Sequence, residues 1–246
     1  MRQNLIKIAK EFQWTAITAI VLPLLVTGCA PQPLAPTVAY DHQGGKNIAL
    51  LTPYIPPEET MLSIKPVTTA GAVLPEFGII GGIIGGSIEQ NAQNKRQANF
   101  TSLLNNHGFS AQTILTNAIT RQLEAEGYTV SQISVARPSA DFLKSYPQSQ
   151  VPLLDVVLVQ DGYCICAFEN SYQPIIEMKY RLVAANGATT LAQGVFQYSS
   201  ARGDQTPDSA YNYTTYSGFD ASPQLAIKAL TTVLTEAGTS TAEGLN

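Results

Sequence analysis

LLDVVLVQDGYCICAF, residues 153–168, is apolar at most positions and rich in valine, which suits a central strand covered on both faces. The stretch after it alternates instead. In PIIEMKYRLVAANGATTLAQGVFQYSS, residues 174–200, Ile176, Met178, Tyr180 and Leu182 interleave with Glu177, Lys179 and Arg181, predicting one buried and one wet face. Asn186-Gly187 between the two runs is a hairpin turn signal. A buried strand leading into a hairpin forms the middle of a sheet, and the flanking segments supply its cover.

SAQTILTNAITRQLEAEG, residues 110–127, has Ser110 as a natural N-cap, apolar positions at Ile114, Leu115, Ala118, Ile119 and Leu123, and Gly127 to stop it. It predicts an amphipathic helix, followed at once by the strand YTVSQISV. SPQLAIKALTTVLTEAG, residues 222–238, predicts a second helix with Ser222 as cap, Pro223 at the first position and Gly238 past the end. Its stripe of Leu225, Ala226, Ala229, Leu230, Val233 and Leu234 requires a sheet to pack on. NIALLTPYI from Asn47 is the first strand, TMLSIKPVTTAGAVL suggests a hairpin, and EQNAQNKRQANFTSLLNNHG is helix-compatible toward Gly108. The expected fold class is α/β (α+β): a mixed β-sheet with amphipathic helices packed on it, in a single domain over residues 46–238, with 239–246 a disordered tail.

The amino terminus carries a different message. Arg2, Lys7 and Lys10 precede an apolar core, WTAITAIVLPLLVTG, too short for an ordinary transmembrane helix. The core ends in VTGC, Val26 to Cys29, which resembles the lipobox of bacterial lipoproteins. The resemblance implies a signal peptide over 1–28, removed before Cys29, and a diacylglycerol on the Cys29 thiol with a further acyl chain, commonly palmitate, on the new amine. Each buried methylene adds about 0.8 kcal/mol of membrane affinity, so two or three chains anchor a protein firmly. Ala30 follows the cysteine where inner-membrane lipoproteins commonly carry aspartate, so the implied location is the outer membrane, facing the periplasm. In an organism with one membrane it is a lipid anchor on the cell membrane. Residues 29–45, rich in proline and glycine, read as an extended tether.

Removing residues 1–28 takes three basic residues and one acid from a chain of net charge −4, leaving −6. That balance disfavours nucleic acid and anionic lipid heads as partners. Cys164 and Cys166 remain besides Cys29. Their spacing in a strand points both to one face, leaving three readings open: buried free thiols, a strained disulfide, or half of a metal site. His42 and His107 are the only histidines and stand in no ligand-spaced cluster.

FGIIGGIIGGSIEQ, residues 77–90, spaces Gly78, Gly81, Gly82, Gly85 and Gly86 so that a helix would carry all five on one face and the isoleucines on the other. No lysine follows in the Walker position and the spacing is not G-x-G-x-x-G, so a phosphate loop is excluded. Five helical glycines cost roughly 4 to 5 kcal/mol against alanine, so close packing has to compensate. The stretch resembles the glycine zippers of bacterial envelope proteins, which implies contact or assembly through Gly78, Gly82 and Gly86. A mobile glycine-rich loop and a membrane-dipping piece are the alternatives.

No G-x-S-x-G, H-E-x-x-H or C-x-x-C motif occurs, and no enzymatic activity or cofactor is expected. Asp155, Asp161, Glu169 and Glu177 could pair across strands but read as solvated or salt-bridged residues. Tyr211, Tyr213 and Tyr216, with Tyr198 and Phe219, cluster around a turn-rich connection, either as a binding loop or as sheet-edge caps. NIALLTPY, RQLEAEGYTV and LDVVLVQDG together resemble the α/β envelope lipoproteins of the curli-secretion and TolB amino-terminal type. The sequence thus predicts a lipid-anchored envelope protein that binds a protein partner or self-associates. The alternative is a ligand-binding auxiliary lipoprotein of an envelope transport system.

Overall fold

The computed structural model describes residues 45–63, 87–165, 170–199 and 207–245. The expected signal peptide, Cys29, all but Gly45 of the expected tether and the glycines at 78, 82 and 86 lie outside the described residues, as do Cys166 and Glu169. The described elements are β1 (Asn47–Leu51), β2 (Thr60–Ser63), α1 (Ser87–Asn106), α2 (Ala111–Ala125), β3 (Thr129–Ile133), β4 (Leu153–Ile165), β5 (Gln173–Val183), β6 (Thr190–Tyr198), the short α3 (Ser217–Ala221) and α4 (Pro223–Glu243).

The strands form one mixed sheet in the order β3-β1-β4-β5-β6, with β2 also on β4. The apolar run becomes the long central strand. β1 runs parallel to its beginning, with Ala49 opposite Leu153, and β2 runs parallel to its end, with Thr60 opposite Gly162. An isolated bridge from Tyr54 to Val157 joins the two halves, so one edge of β4 is lined by an interrupted strand. On the other edge β5 and β6 form an antiparallel meander. The expected hairpin is present, with Gly187 at φ +68° in the turn. Thr60–Ser63, expected in a hairpin, pairs with β4 in parallel instead, and the remainder of that stretch is undescribed.

Both faces of β4 are dry. Leu154, Val156 and Leu158 face a core completed by Leu115, Ile119 and Leu123 of α2 and by Ala226, Ala229, Leu230 and Val233 of α4. Leu153 faces the other way, into a smaller cluster with Ala49, Leu51 and Val183. Val135, Leu143, Tyr146 and Val151 cover that cluster from the irregular 134–152 segment, here termed the strap. At Val159 the β4–β5 register slips. The extra residue reverses which face later side chains take, so Asp161 and Tyr163 lie opposite Ile176 and Pro174 on the helix side.

Ser110 caps α2, its hydroxyl accepting the Thr113 N–H at 3.3 Å, and Gly127 closes the helix at φ +87°. Helix α4 starts at Pro223 as expected but does not stop at Gly238. It continues to Glu243, with Ala242 and Leu245 buried, so the expected tail is the last helical turn and its cap. The reason is contact: a Cβ at Gly238 would lie 2.6 Å from the Ala118 Cβ and 3.1 Å from the Ile119 backbone nitrogen. Glycine, which costs about 1 kcal/mol inside a helix, is kept because it lets α4 meet α2 backbone to backbone.

Gly238→Leu is expected to lower stability by about 1 to 3 kcal/mol through overpacking at this crossing, read from the urea midpoint. Ala118→Gly in the same chain recovers part of the loss, because the nearest clashing atom is the Ala118 methyl. An unchanged midpoint for the single variant would remove the crossing argument.

Candidate functional site

Two acids on β4, six residues apart, are treated in opposite ways. Asp155 is fully buried on the strap side. One oxygen meets the Arg137 guanidinium at 2.6 Å, and the other accepts the Leu143 N–H at 2.9 Å and the Tyr146 hydroxyl at 3.1 Å. All three donors come from the strap. The sequence reading of Asp155 as solvated or salt-bridged resolves to a buried ion pair, and its role is to hold an irregular segment on the sheet. Burial, followed by the Asp155 charge, pushes the Tyr146 phenol up to about 12. Outside this pair the Phe142 ring lies 4.2 Å from the Arg181 guanidinium, and Lys179 bonds Asp141 at 2.8 Å.

Asp161 is 1% exposed on the helix side, and among the described residues no other residue gives either carboxyl oxygen a hydrogen bond. Burial pushes it up to about 8, with the nearby Glu59 carboxylate adding to the effect. Glu59 also has an unpartnered buried oxygen, Oε2, while its N–H is held by Thr101 of α1 at 3.0 Å. Glu177 is not part of this pair, since its register partner Gln160 lies on the opposite face.

The tyrosine-rich connection is built into the core. Tyr213 is 5% exposed, its ring centroid 4.0 Å from that of Phe219, and its hydroxyl donates to the Ser222 carbonyl at 2.6 Å. Phe219 is the hub, touching Phe100, Tyr163 and Tyr172 edge-on and Tyr216 at a tilt. Tyr216 is half-buried and donates to the Arg96 carbonyl at 2.9 Å, and Tyr211 is half-buried against the same core. Tyr213 therefore serves as an anchor rather than as part of an open binding loop. Cys164 is buried and disulfide-bonded, which sets aside the free-thiol reading for it.

The described residues hold one further feature, a cleft of about 450 Å³ at the carboxyl ends of β1 and β3, walled by the first turns of α2. Its position follows from the topology. The chain leaving β1 continues along the edge of β4, where Tyr54 bridges Val157, and the chain leaving β3 turns into the strap, so the two adjacent parallel strands part at this point, where open α/β sheets leave a crevice. Gln112, Thr116, Asn117, Gln132 and Ser134 line it, and among the described residues no charged side chain does. Sequence reading missed the cleft because its walls come from segments far apart in the chain. Among the described residues no three His, Cys, Asp or Glu side chains form a group that could hold a metal ion.

No protein-family model matches the sequence, and no curated protein matches it. Among solved structures the chain is similar to protein XCC0632 from Xanthomonas campestris, of the DUF330 family, with a TM-score of 0.40 and 13% identity over 84% of this chain and 83% of that one. It is also similar to a PelC variant dodecamer from Paraburkholderia phytofirmans, with a TM-score of 0.35 and 8% identity over 87% and 96% of the two chains. A second PelC dodecamer from that organism gives a TM-score of 0.29 and 8% identity over 82% and 94%.

Two substitutions separate the acids. Asp155→Ala leaves Arg137 buried without its partner and is expected to cost about 3 to 5 kcal/mol, read from denaturant unfolding. Asp161→Asn acts in the other direction. A folded-state value raised above the ordinary 3.8 means that the folded protein holds a proton the unfolded chain gives up. Stability is thus fully present below the unfolded value and declines as pH rises toward the folded one. The variant should melt higher than the parent at pH 7 and equally near pH 4, and equal melting at both would remove the buried-acid argument.

Proposed function

We propose that the chain is a lipid-anchored bacterial envelope protein with a non-enzymatic binding or assembly role, held through Cys29 at the outer membrane and facing the periplasm. The observation that carries this reading is the VTGC sequence closing a short apolar core behind a basic start. The disulfide at Cys164 fits an exported protein, because such bonds persist in oxidising compartments such as the periplasm. A non-enzymatic role is supported by how the acids are used, Asp155 holding the strap and Asp161 lying inside the core. The net charge of −6 after processing argues for a protein rather than a nucleic acid as partner. Gly78, Gly82 and Gly86, on one face by spacing, are the proposed contact element for self-association or a partner helix.

The uncharged cleft favours a second reading, an auxiliary lipoprotein that binds a small ligand. Its amides and hydroxyls suit a neutral hydrogen-bonding molecule.

Growth with an alkyne analogue of palmitate is expected to label the parent protein and leave Cys29→Ser unlabelled. Label retained by the variant would refute the anchor. Light scattering on the domain beginning after Cys29 tests the assembly role: the parent forms an oligomer that Gly82→Leu dissolves, while lipidation of the full-length variant is unchanged. A monomer in both cases would transfer support to the ligand-binding reading.

A further inference from the structure

The geometry points to a proton-dependent latch: Asp161 and Glu59 together control whether β2 stays docked on β4. Thr60 lies opposite Gly162 in the parallel ladder, so continuing the register by one residue sets Glu59 opposite Asp161. Like charges placed so in adjacent strands repel, and this pair sits at the inner surface of the sheet rather than in water. The approach is also unusually close. Gly162 has φ +138°, and a Cβ there would run into the Thr60 backbone, so only glycine at 162 lets β2 lie this close to β4.

Among the described residues no cation faces the pair from the elements packed on it. From α1, Thr101 offers a hydroxyl that receives the Glu59 N–H, and the Gln97 amide bonds Glu58 instead. From β5 the neighbours on that face are Ile176 and Met178, while Glu177 and Lys179 alternate to the other side. Tyr163, the next β4 residue on the helix side, carries a phenol that burial keeps protonated. Asp155 shows the alternative, a guanidinium, an amide and a hydroxyl supplied to one carboxylate. Among the described residues Asp161 meets no guanidinium, no hydroxyl and no amide of another residue, so a proton is what neutralises it.

The consequence falls on β2 first. Among the described residues it contributes four residues paired only with β4 and is the shortest strand of the sheet. Undocking β2 carries Glu59 away and lets water reach Asp161, restoring its ordinary acidity. Docked and undocked forms then differ by one proton between the ordinary value of 3.8 and about 8. In that window each rise of one pH unit weakens docking about tenfold. Release uncovers the edge of β4 from Gly162 to Ile165, four residues of unpaired backbone ready to accept another strand.

Hydrogen exchange read by mass spectrometry on the full-length protein tests the latch, with rates corrected for the intrinsic pH dependence of exchange. The opening constant for peptides covering Met61–Ser63 is expected to rise about tenfold per unit between about pH 5 and pH 7, while peptides from β5 stay protected. Asp161→Asn should abolish that slope and hold β2 closed, and Glu59→Gln should keep the slope but shift it to lower pH. An unchanged slope in Asp161→Asn would overturn the latch. So would opening of β2 only together with β5, which would mean that the acid reports global unfolding.

Discussion

A thirteen-residue strand with both faces dry sets the terms for everything else in this domain. β4 pairs with β1, β2 and β5, and its side chains between Leu153 and Leu158 need cover above and below. Helices α2 and α4 supply one cover, and their close crossing at Gly238 and Ala118 fits both helices against a narrow sheet. The second cover has no helix or strand of its own. An irregular segment has few backbone partners, so a buried ion pair with three strap donors fixes it to one place on β4. Such a pair gains little net stability over an apolar replacement. What it adds is position, since only one arrangement of the strap satisfies Asp155.

The one-residue slip at Val159 has consequences out of proportion to its size. Up to Leu158 the odd positions face the strap and the even ones face the helices. Beyond it Asp161 and Tyr163, odd positions both, turn into the helix-side core. Tyr163 thereby becomes a wall of the Phe219 aromatic cluster, which draws Tyr213 and Tyr172 inward. Asp161 is carried to the same side by the same parity. The buried acid and the buried tyrosines are two results of one bulge.

Local periodicity made the central strand, the alternating hairpin, α2 with both its ends and the start of α4 legible in the sequence. Burial is written there directly in residue spacing. The features that escaped are those whose meaning depends on a distant residue. Gly238 looks like a stop signal until Ala118 stands against it. Asp155 and Arg137 are individually ordinary polar residues, and nothing local says that they meet. Tyr213 sits in a turn-rich stretch that reads as an open loop, yet its ring belongs to a core completed by Phe100 from α1 and Tyr163 from β4. The cleft at the ends of β1 and β3 arises from where two connections diverge, which no single segment records.

Stability in such a structure is unevenly distributed, and the sheet shows where it is least. β5 is paired on both edges, and β4 is paired along most of its length. Among the described residues β2 has one short ladder and no second strand, and an acid, Glu59, immediately precedes it. Elements with few bonds and a built-in repulsion open first. In this chain thirteen residues, 64–76, separate that element from the glycine-rich stretch 77–90. A charge placed beside a short ladder therefore acts on the least-paired strand among the described residues.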